Sequence, residues 1–125
     1  MALNSIDPTT TKSWELLKEH FNEVKNVHMK TWFAQNKNRA NEMTIHWEDF
    51  YVDFSKNRIT KETLEILLKL TEEVELKDAI SKYFSGDVIN ETEGRAVLHT
   101  ALRGPKSAHV YVDGESVISE IYEVK

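Results

Sequence analysis

Apolar side chains recur every three or four residues along several stretches of the chain, the spacing that places them on one face of an α-helix. The first stretch follows Pro8 and a threonine run that can cap a helix, and it predicts a helix over residues 9–24. Further helices are predicted over residues 28–34, after Thr60, and over the segment that ends before Gly86. The residues expected to face inward are Trp14, Leu17, Phe21 and Val24; Met29, Trp32 and Phe33; Leu64, Leu67, Leu68 and Thr71; and Leu76, Ala79, Ile80, Tyr83 and Phe84.

Between residues 43 and 55 the apolar side chains fall on every second position, the period of a β-strand with one buried face. The pattern predicts two strands joined near Glu48 and Asp49, and hence a β-hairpin near 43–55. An isolated two-stranded hairpin is only marginally stable in water, so we expect its apolar face to lie against helices. The alternating residues are Met43, Ile45 and Trp47, then Phe50, Val52 and Phe54.

The last third of the chain predicts shorter elements. Asn90 and Glu93 have the spacing of a reciprocal helix cap, and Gly104 followed by proline is expected to end that helix. A short strand near 108–112, a turn at Asp113 and Gly114, and a last helix with Val117, Ile121 and Val124 follow. That helix has no C-cap signal before Lys125, so we expect the chain to continue.

These elements define an α+β fold class, mostly helical, with a β-hairpin near 43–55 and a short strand near 108–112. The chain has 125 residues, 40% hydrophobic and 30% charged, which excludes a disordered protein. A net charge of -5 without a Lys/Arg cluster excludes nucleic acid and membrane surfaces as expected partners. No disulfide or thiolate zinc site is possible without cysteine. Without a secretory signal or a run of ~20 apolar residues, a cytoplasmic location is expected.

Candidate chemistry centres on Arg95 and His99, which are four residues apart and would share one face of the predicted helix. Arg103 would follow one turn later. Either this cationic ridge approaches an anionic ligand or an active-site carboxylate, or it pairs with acidic residues and positions the segment. We favour the structural role, because buried Arg and His are usually satisfied members of polar networks.

The remaining polar residues give no second candidate site. The histidines lack metal-ligand spacing, so no metal site is expected, and His20, His28 and His46 are expected to be solvated. Residues 55–58 lack the glycine of a phosphate loop, and Lys56 and Arg58 are expected to face solvent or an acidic neighbour. We therefore assign no catalytic residue, no confident substrate-binding residue and no cofactor.

Two stretches resemble signature segments of the glucose-6-phosphate isomerase family. The first runs over residues 52–60 and contains Ser55, Lys56, Asn57, Arg58, Ile59 and Thr60. The second runs over residues 89–103 and contains Asn90, Glu91, Thr92, Glu93, Gly94, Arg95, Ala96, Val97, Leu98 and His99. Weaker similarity lies at residues 7–14, 84–86 and 110–114, so the resemblance covers nearly the whole chain.

The resemblance implies that residues 1–125 are a single amino-terminal segment of a larger α/β enzyme of the three-layer sugar-isomerase type, with the catalytic domains largely absent. Family members are aldose-ketose isomerases, intramolecular oxidoreductases that interconvert glucose 6-phosphate and fructose 6-phosphate through a cis-enediol in glycolysis and gluconeogenesis. Their catalytic and phosphate-binding residues lie beyond position 125, so the chain alone is expected to be inactive. The resemblance leaves only a supporting role for Arg95 and His99, and it implies a homodimeric parent.

A second hypothesis comes from a different functional class. The chain could be a free-standing α+β protein-interaction module derived from this family, which binds a protein partner through the surface that other domains once covered. The two hypotheses differ in the open reading frame. A stop codon directly after Lys125 favours the module, and several hundred further codons favour the enzyme.

Overall fold

A computed structural model describes residues 3–125 of the chain. These residues form two compact units, one made of Thr9–Leu70 and the other of the described residues up to Pro8 together with Thr71–Lys125. No helix among the described residues is long and apolar enough to cross a membrane.

The unit Thr9–Leu70 is mostly helical. Its elements are a 3-10 turn (Pro8–Thr10), α1 (Lys12–Val24), α2 (Met29–Gln35), α3 (Arg39–Glu42), β1 (Thr44–Trp47), β2 (Phe50–Asp53) and α4 (Lys61–Glu73), which runs three residues past the unit. The predicted first helix is confirmed, and the Thr11 side chain caps it by accepting a hydrogen bond from the Trp14 N–H at 3.2 Å. The second predicted helix is also confirmed, and His28 is its N-cap.

Strands β1 and β2 form the predicted antiparallel hairpin, in which Ile45 pairs with Val52 and Trp47 with Phe50. The expectation that its apolar face lies against helices is wrong, because these four side chains are 50–62% exposed. Only the base of the hairpin reaches the core, where Met43 is buried and its carbonyl accepts a hydrogen bond from the Phe54 N–H at 3.0 Å. We call Ile45, Trp47, Phe50 and Val52 the hairpin face.

The inward face of α4 differs from the predicted one. Ile66 is the buried residue, whereas Leu67 and Leu68 are 38% and 64% exposed. The reason is a polar contact at the start of the helix, where the Thr63 hydroxyl lies 2.7 Å from the His20 ring. Residues three apart share a helix face, so turning Thr63 inward also turns Ile66 inward. The predicted inward residue Phe21 of α1 is likewise exposed.

The second unit contains α5 (Leu76–Ser85), α6 (His99–Arg103), β3 (Tyr111–Val112), β4 (Glu115–Ser116) and α7 (Ile118–Val124). Its core consists of Ala101, Val110 and Ile118, against which Leu98, Ala108, Val117, Ile121 and Tyr122 pack. The predicted short strand, the turn at Asp113 and Gly114 and the last helix are confirmed, whereas β4 was not predicted. On α5, the predicted inward residues Leu76, Ile80 and Phe84 are exposed.

Helix α5 ends where the sequence predicts, because Gly86 adopts a left-handed conformation with φ of 92°. Gly86 also packs closely against Val110 and Tyr111. A Cβ atom at this position would be 2.6 Å from the Tyr111 carbonyl oxygen and 2.9 Å from Val110 Cγ1. Glycine is therefore required here both for its backbone conformation and for the close approach of β3.

Candidate functional site

The segment 89–103 does not form the helix that its cap spacing predicts. The Asn90 side chain accepts a hydrogen bond from the Glu93 N–H at 3.3 Å and donates one to the Glu93 carboxylate at 3.2 Å. These contacts close a turn, because Gly94 has φ of 65° and the backbones of Asn90 and Arg95 exchange two hydrogen bonds. The helix begins only at His99.

Arg95 and His99 consequently do not share a helix face, so the predicted ridge is wrong. The Arg95 guanidinium contacts the Glu93 carboxylate at 2.8 and 2.9 Å, and its side chain is 69% exposed. His99 is the exposed first residue of α6. Arg95 thus pairs with an acidic residue two positions before it, at an exposed site. The supporting role of these two residues in an enzyme stays a prediction.

Arg39 is a buried polar side chain with several backbone partners, and sequence reasoning missed it. Arg39 is 4% exposed, and its guanidinium donates hydrogen bonds to the carbonyls of Ser55, Asn57 and Ile59 at 2.8, 3.0 and 2.9 Å. Its Cζ lies 5.0 Å from the Trp32 ring centroid, within the range of a cation–π interaction. This arginine fixes the backbone of residues 55–59, and nothing local in the sequence links it to carbonyls 16 to 20 positions later.

Side chains next to the loop 55–59 also fix its conformation. The Asp53 carboxylate accepts a hydrogen bond from the Ser55 N–H at 2.8 Å. Hydrogen bonds from the Ser55 side chain and backbone hold the pKa of Asp53 below its ordinary value. Arg58 is exposed, as expected, and its guanidinium donates to the carbonyls of Lys25 and Val27 at the end of α1. Lys56 is exposed, as expected.

His20 is the second buried polar residue with a defined environment, and the expectation that it is solvated is wrong. It is 5% exposed on α1, with Nε2 at 2.7 Å from the Thr63 hydroxyl and 3.2 Å from the Thr60 hydroxyl. Nδ1 faces the carboxylates of Glu23 and Glu62 at 3.5 and 3.7 Å. Sequence reasoning missed this cluster because Glu62 lies on α4, far along the chain. Only the spacing of His20 and Glu23 on α1 was visible. His28 and His46 are exposed, as expected.

An open cleft of about 460 Å³ in the same unit is lined by Glu42, Met43, Lys61, Leu64, Glu65 and Leu68. Hydrogen bonds from the Asn36 and Asn38 side chains hold the pKa of Glu42 below its ordinary value. Arg39 and Arg58 of this unit bind backbone carbonyls.

Known proteins are similar to this chain in sequence. A family model described as phosphoglucose isomerase matches residues 53–125. The chain is 54% identical to a glucose-6-phosphate isomerase of Christiangramia forsetii and 47% identical to one of Wigglesworthia glossinidia brevipalpis, over 123 residues in both cases. These matches cover 98% of this chain but 23% and 22% of those proteins.

A solved structure agrees in fold. The crystal structure of a glucose-6-phosphate isomerase from Chlamydia trachomatis superposes with a TM-score of 0.79 over 94% of this chain and 24% of that chain. The sequence identity is 22%, so this likeness concerns the fold alone. The chain spans less than a quarter of the length of the relatives and the structure that it matches.

Proposed function

The chain belongs to the phosphoglucose isomerase family, and from that membership we propose that it is the amino-terminal segment of a glucose-6-phosphate isomerase. The observation that carries the proposal is the match to the Christiangramia forsetii protein. The two sequences are 54% identical, and the match covers 98% of this chain but 23% of that protein. The whole enzyme would interconvert glucose 6-phosphate and fructose 6-phosphate in glycolysis and gluconeogenesis. We place it in the cytoplasm.

The polar residues of the segment support a structural contribution rather than a chemical one. The Arg39 guanidinium donates hydrogen bonds to three backbone carbonyls, and the Arg95 guanidinium donates one to the Glu93 carboxylate. An aldose-ketose isomerisation needs a base and an acid that move a proton between adjacent carbons, and it has no net oxidation that would require a redox cofactor. We propose that residues beyond this chain supply those groups, and that this segment contains no catalytic residue.

The exposed apolar side chains support a role of this segment in packing against other domains. The hairpin face is 50–62% exposed, and on α5 Ile80 and Phe84 are 48% and 57% exposed. Exposed apolar side chains on the hairpin face in one unit, and on α5 in the other, are typical of protein contact sites. We propose that the remainder of the parent enzyme covers these surfaces. We also propose that the parent is a homodimer that binds the sugar phosphate outside this segment.

A coupled assay tests the proposal. Conversion of fructose 6-phosphate is measured by coupling glucose 6-phosphate formation to a dehydrogenase, for the pure 125-residue chain and for the product of the complete open reading frame. The complete product is expected to turn over substrate, and the 125-residue chain is not. Turnover by the 125-residue chain would overturn the assignment of catalysis to later residues. A reading frame that stops after Lys125, with no activity, would favour the interaction module.

A further inference from the structure

Three side chains with metal-ligating atoms converge between α1 and the first turn of α4. We propose that His20, Glu23 and Glu62 form a binding site for a divalent transition-metal ion of the zinc class. Their ligand atoms, one ring nitrogen and one oxygen from each carboxylate, all lie within 4.8 Å of one another. All three residues belong to the unit Thr9–Leu70, so the site needs no group from elsewhere.

The buried imidazole distinguishes this cluster from ordinary surface carboxylates. The His20 side chain is 6% exposed, whereas the carboxylate side chains of Glu23 and Glu62 are 70% and 68% exposed. His20 Nδ1 is buried and has no hydrogen-bond partner. A buried polar atom without a partner costs free energy, so an ion that binds Nδ1 would relieve that cost. The atom points toward the carboxylates, and hence toward the position of the ion.

The other ring nitrogen has the partners that a metal-binding histidine requires. Nε2 lies 2.7 Å from the Thr63 hydroxyl and 3.2 Å from the Thr60 hydroxyl. When Nε2 carries the proton, it donates to a hydroxyl oxygen and leaves the lone pair of Nδ1 directed at the two carboxylates. Metal-ligating histidines commonly donate their second ring N–H in this way, which fixes the ring orientation and the tautomer.

The two separations measured from His20 Nδ1 fit an ion better than they fit direct hydrogen bonds. Zinc binds nitrogen and carboxylate oxygen at about 2.0–2.2 Å, so tetrahedral geometry places its ligand atoms roughly 3.3–3.6 Å apart. Nδ1 lies 3.5 Å from the Glu23 oxygen and 3.7 Å from the Glu62 oxygen. The two carboxylates are exposed, so their side chains have room to rotate and adjust their oxygens to an ion. One nitrogen with two carboxylates favours zinc over magnesium, which prefers an all-oxygen octahedron.

Metal binding would have a structural consequence. Residues His20 and Glu23 lie on α1, whereas Glu62 lies at the start of α4. An ion held by all three would cross-link the two helices at the contact that sets the inward face of α4. The three protein ligands leave a fourth position for water, so the expected complex is a three-ligand site in which zinc stabilises the unit.

Zinc titration of the 125-residue chain tests the proposal. Binding of ZnCl₂ is measured by calorimetry, and the His20 ring nitrogens are followed by NMR. Glu23→Gln and Glu62→Gln each remove one ligand at an exposed position, so both variants should fold. The matched controls are Glu19→Gln on α1 and Glu65→Gln on α4, which remove exposed carboxylates outside the cluster. MgCl₂ serves as the hard-cation control.

We expect one equivalent of zinc to bind, with a metal-induced shift of His20 Nδ1 and a rise in the melting temperature. Each ligand variant should bind at least ~10-fold more weakly, and the controls should bind as the unmodified chain does. Magnesium should not compete. The proposal is overturned if no saturable zinc binding occurs. It is also overturned if Glu23→Gln and Glu62→Gln bind zinc unchanged, or if all four variants lose affinity equally, in which case the cluster is an ion-pair network only.

Discussion

Replacing Arg39 tests the claim that this buried guanidinium holds the loop 55–59 in place. Arg39→Met keeps much of the aliphatic stem but removes three hydrogen bonds to backbone carbonyls at 2.8–3.0 Å. A hydrogen bond to a charged group contributes about 1.5–3 kcal/mol, and a buried acceptor left without a donor costs about 1–3 kcal/mol. Ser55 is 1% exposed, so its carbonyl cannot turn to water, whereas the carbonyl of exposed Asn57 can.

Relief of the buried charge offsets part of this loss, and the net destabilisation by Arg39→Met is about 3–5 kcal/mol. That is comparable to the stability of a small unit, so Arg39→Lys provides a milder variant. A lysine ammonium cannot span three carbonyls as a planar guanidinium does, and a loss of about 2 kcal/mol is expected.

Urea unfolding followed by tryptophan fluorescence is a suitable assay, because Trp14, Trp32 and Trp47 all lie in the unit Thr9–Leu70. Arg103→Met removes an exposed arginine from α6 and should change the free energy of unfolding by less than about 0.5 kcal/mol. If Arg39→Met and Arg39→Lys both unfold within about 0.5 kcal/mol of the unmodified chain at an unchanged m-value, the loop does not depend on this arginine.

Three further predictions concern the two glycine turns, Asp53 and the hairpin face. Gly86→Ala should destabilise its unit by about 2–4 kcal/mol in denaturant melts, because the new Cβ would meet the Tyr111 carbonyl, whereas Gly94→Ala, with open space around it, should cost only about 1 kcal/mol; equal losses would refute the steric argument. Because the pKa of Asp53 is lowered in the folded state, its charged form stabilises the fold when the pH is above the ordinary pKa of 3.8. This contribution disappears as the pH falls through the folded-state pKa. Asp53→Asn should therefore be less stable than the unmodified chain near neutral pH and should lose that difference in acid, and a pH-independent difference would contradict it. The exposed hairpin face predicts that the isolated chain self-associates. Trp47→Lys should reduce this self-association in sedimentation velocity more than the same change at exposed Tyr51 on the other side of the hairpin, and equal effects of the two changes would contradict the prediction.

Local signals in the sequence predict much of the fold. The two-residue period predicts the hairpin. The glycine at position 86, a residue that readily adopts the left-handed conformation, predicts the end of α5. The turn at Asp113 and Gly114 follows from the same reasoning. These elements depend on neighbours within a few residues, which the sequence displays directly.

Elements that depend on distant partners could not be predicted. The inward face of α4 and the burial of His20 both follow from a contact between residues 43 positions apart. The hydrogen bond between Asn90 and Glu93 forms at the spacing that the sequence indicates. Gly94 follows it in a left-handed conformation, however, so the chain closes a turn here instead of starting a helix. The cap spacing alone does not distinguish a turn from a helix start. The predicted ridge required a helix that contains both Arg95 and His99, and it is therefore wrong for the same reason.

Fragment complementation tests most directly whether this chain supplies structure and no chemistry. The 125-residue chain and the remainder of the complete open reading frame are purified separately, and glucose-6-phosphate isomerase activity is measured for each alone and for the mixture. We predict no turnover by the 125-residue chain, little by the remainder, and activity in the mixture that falls when the hairpin face carries Trp47→Lys. Turnover by the 125-residue chain alone, or full activity of the remainder without it, would contradict this account.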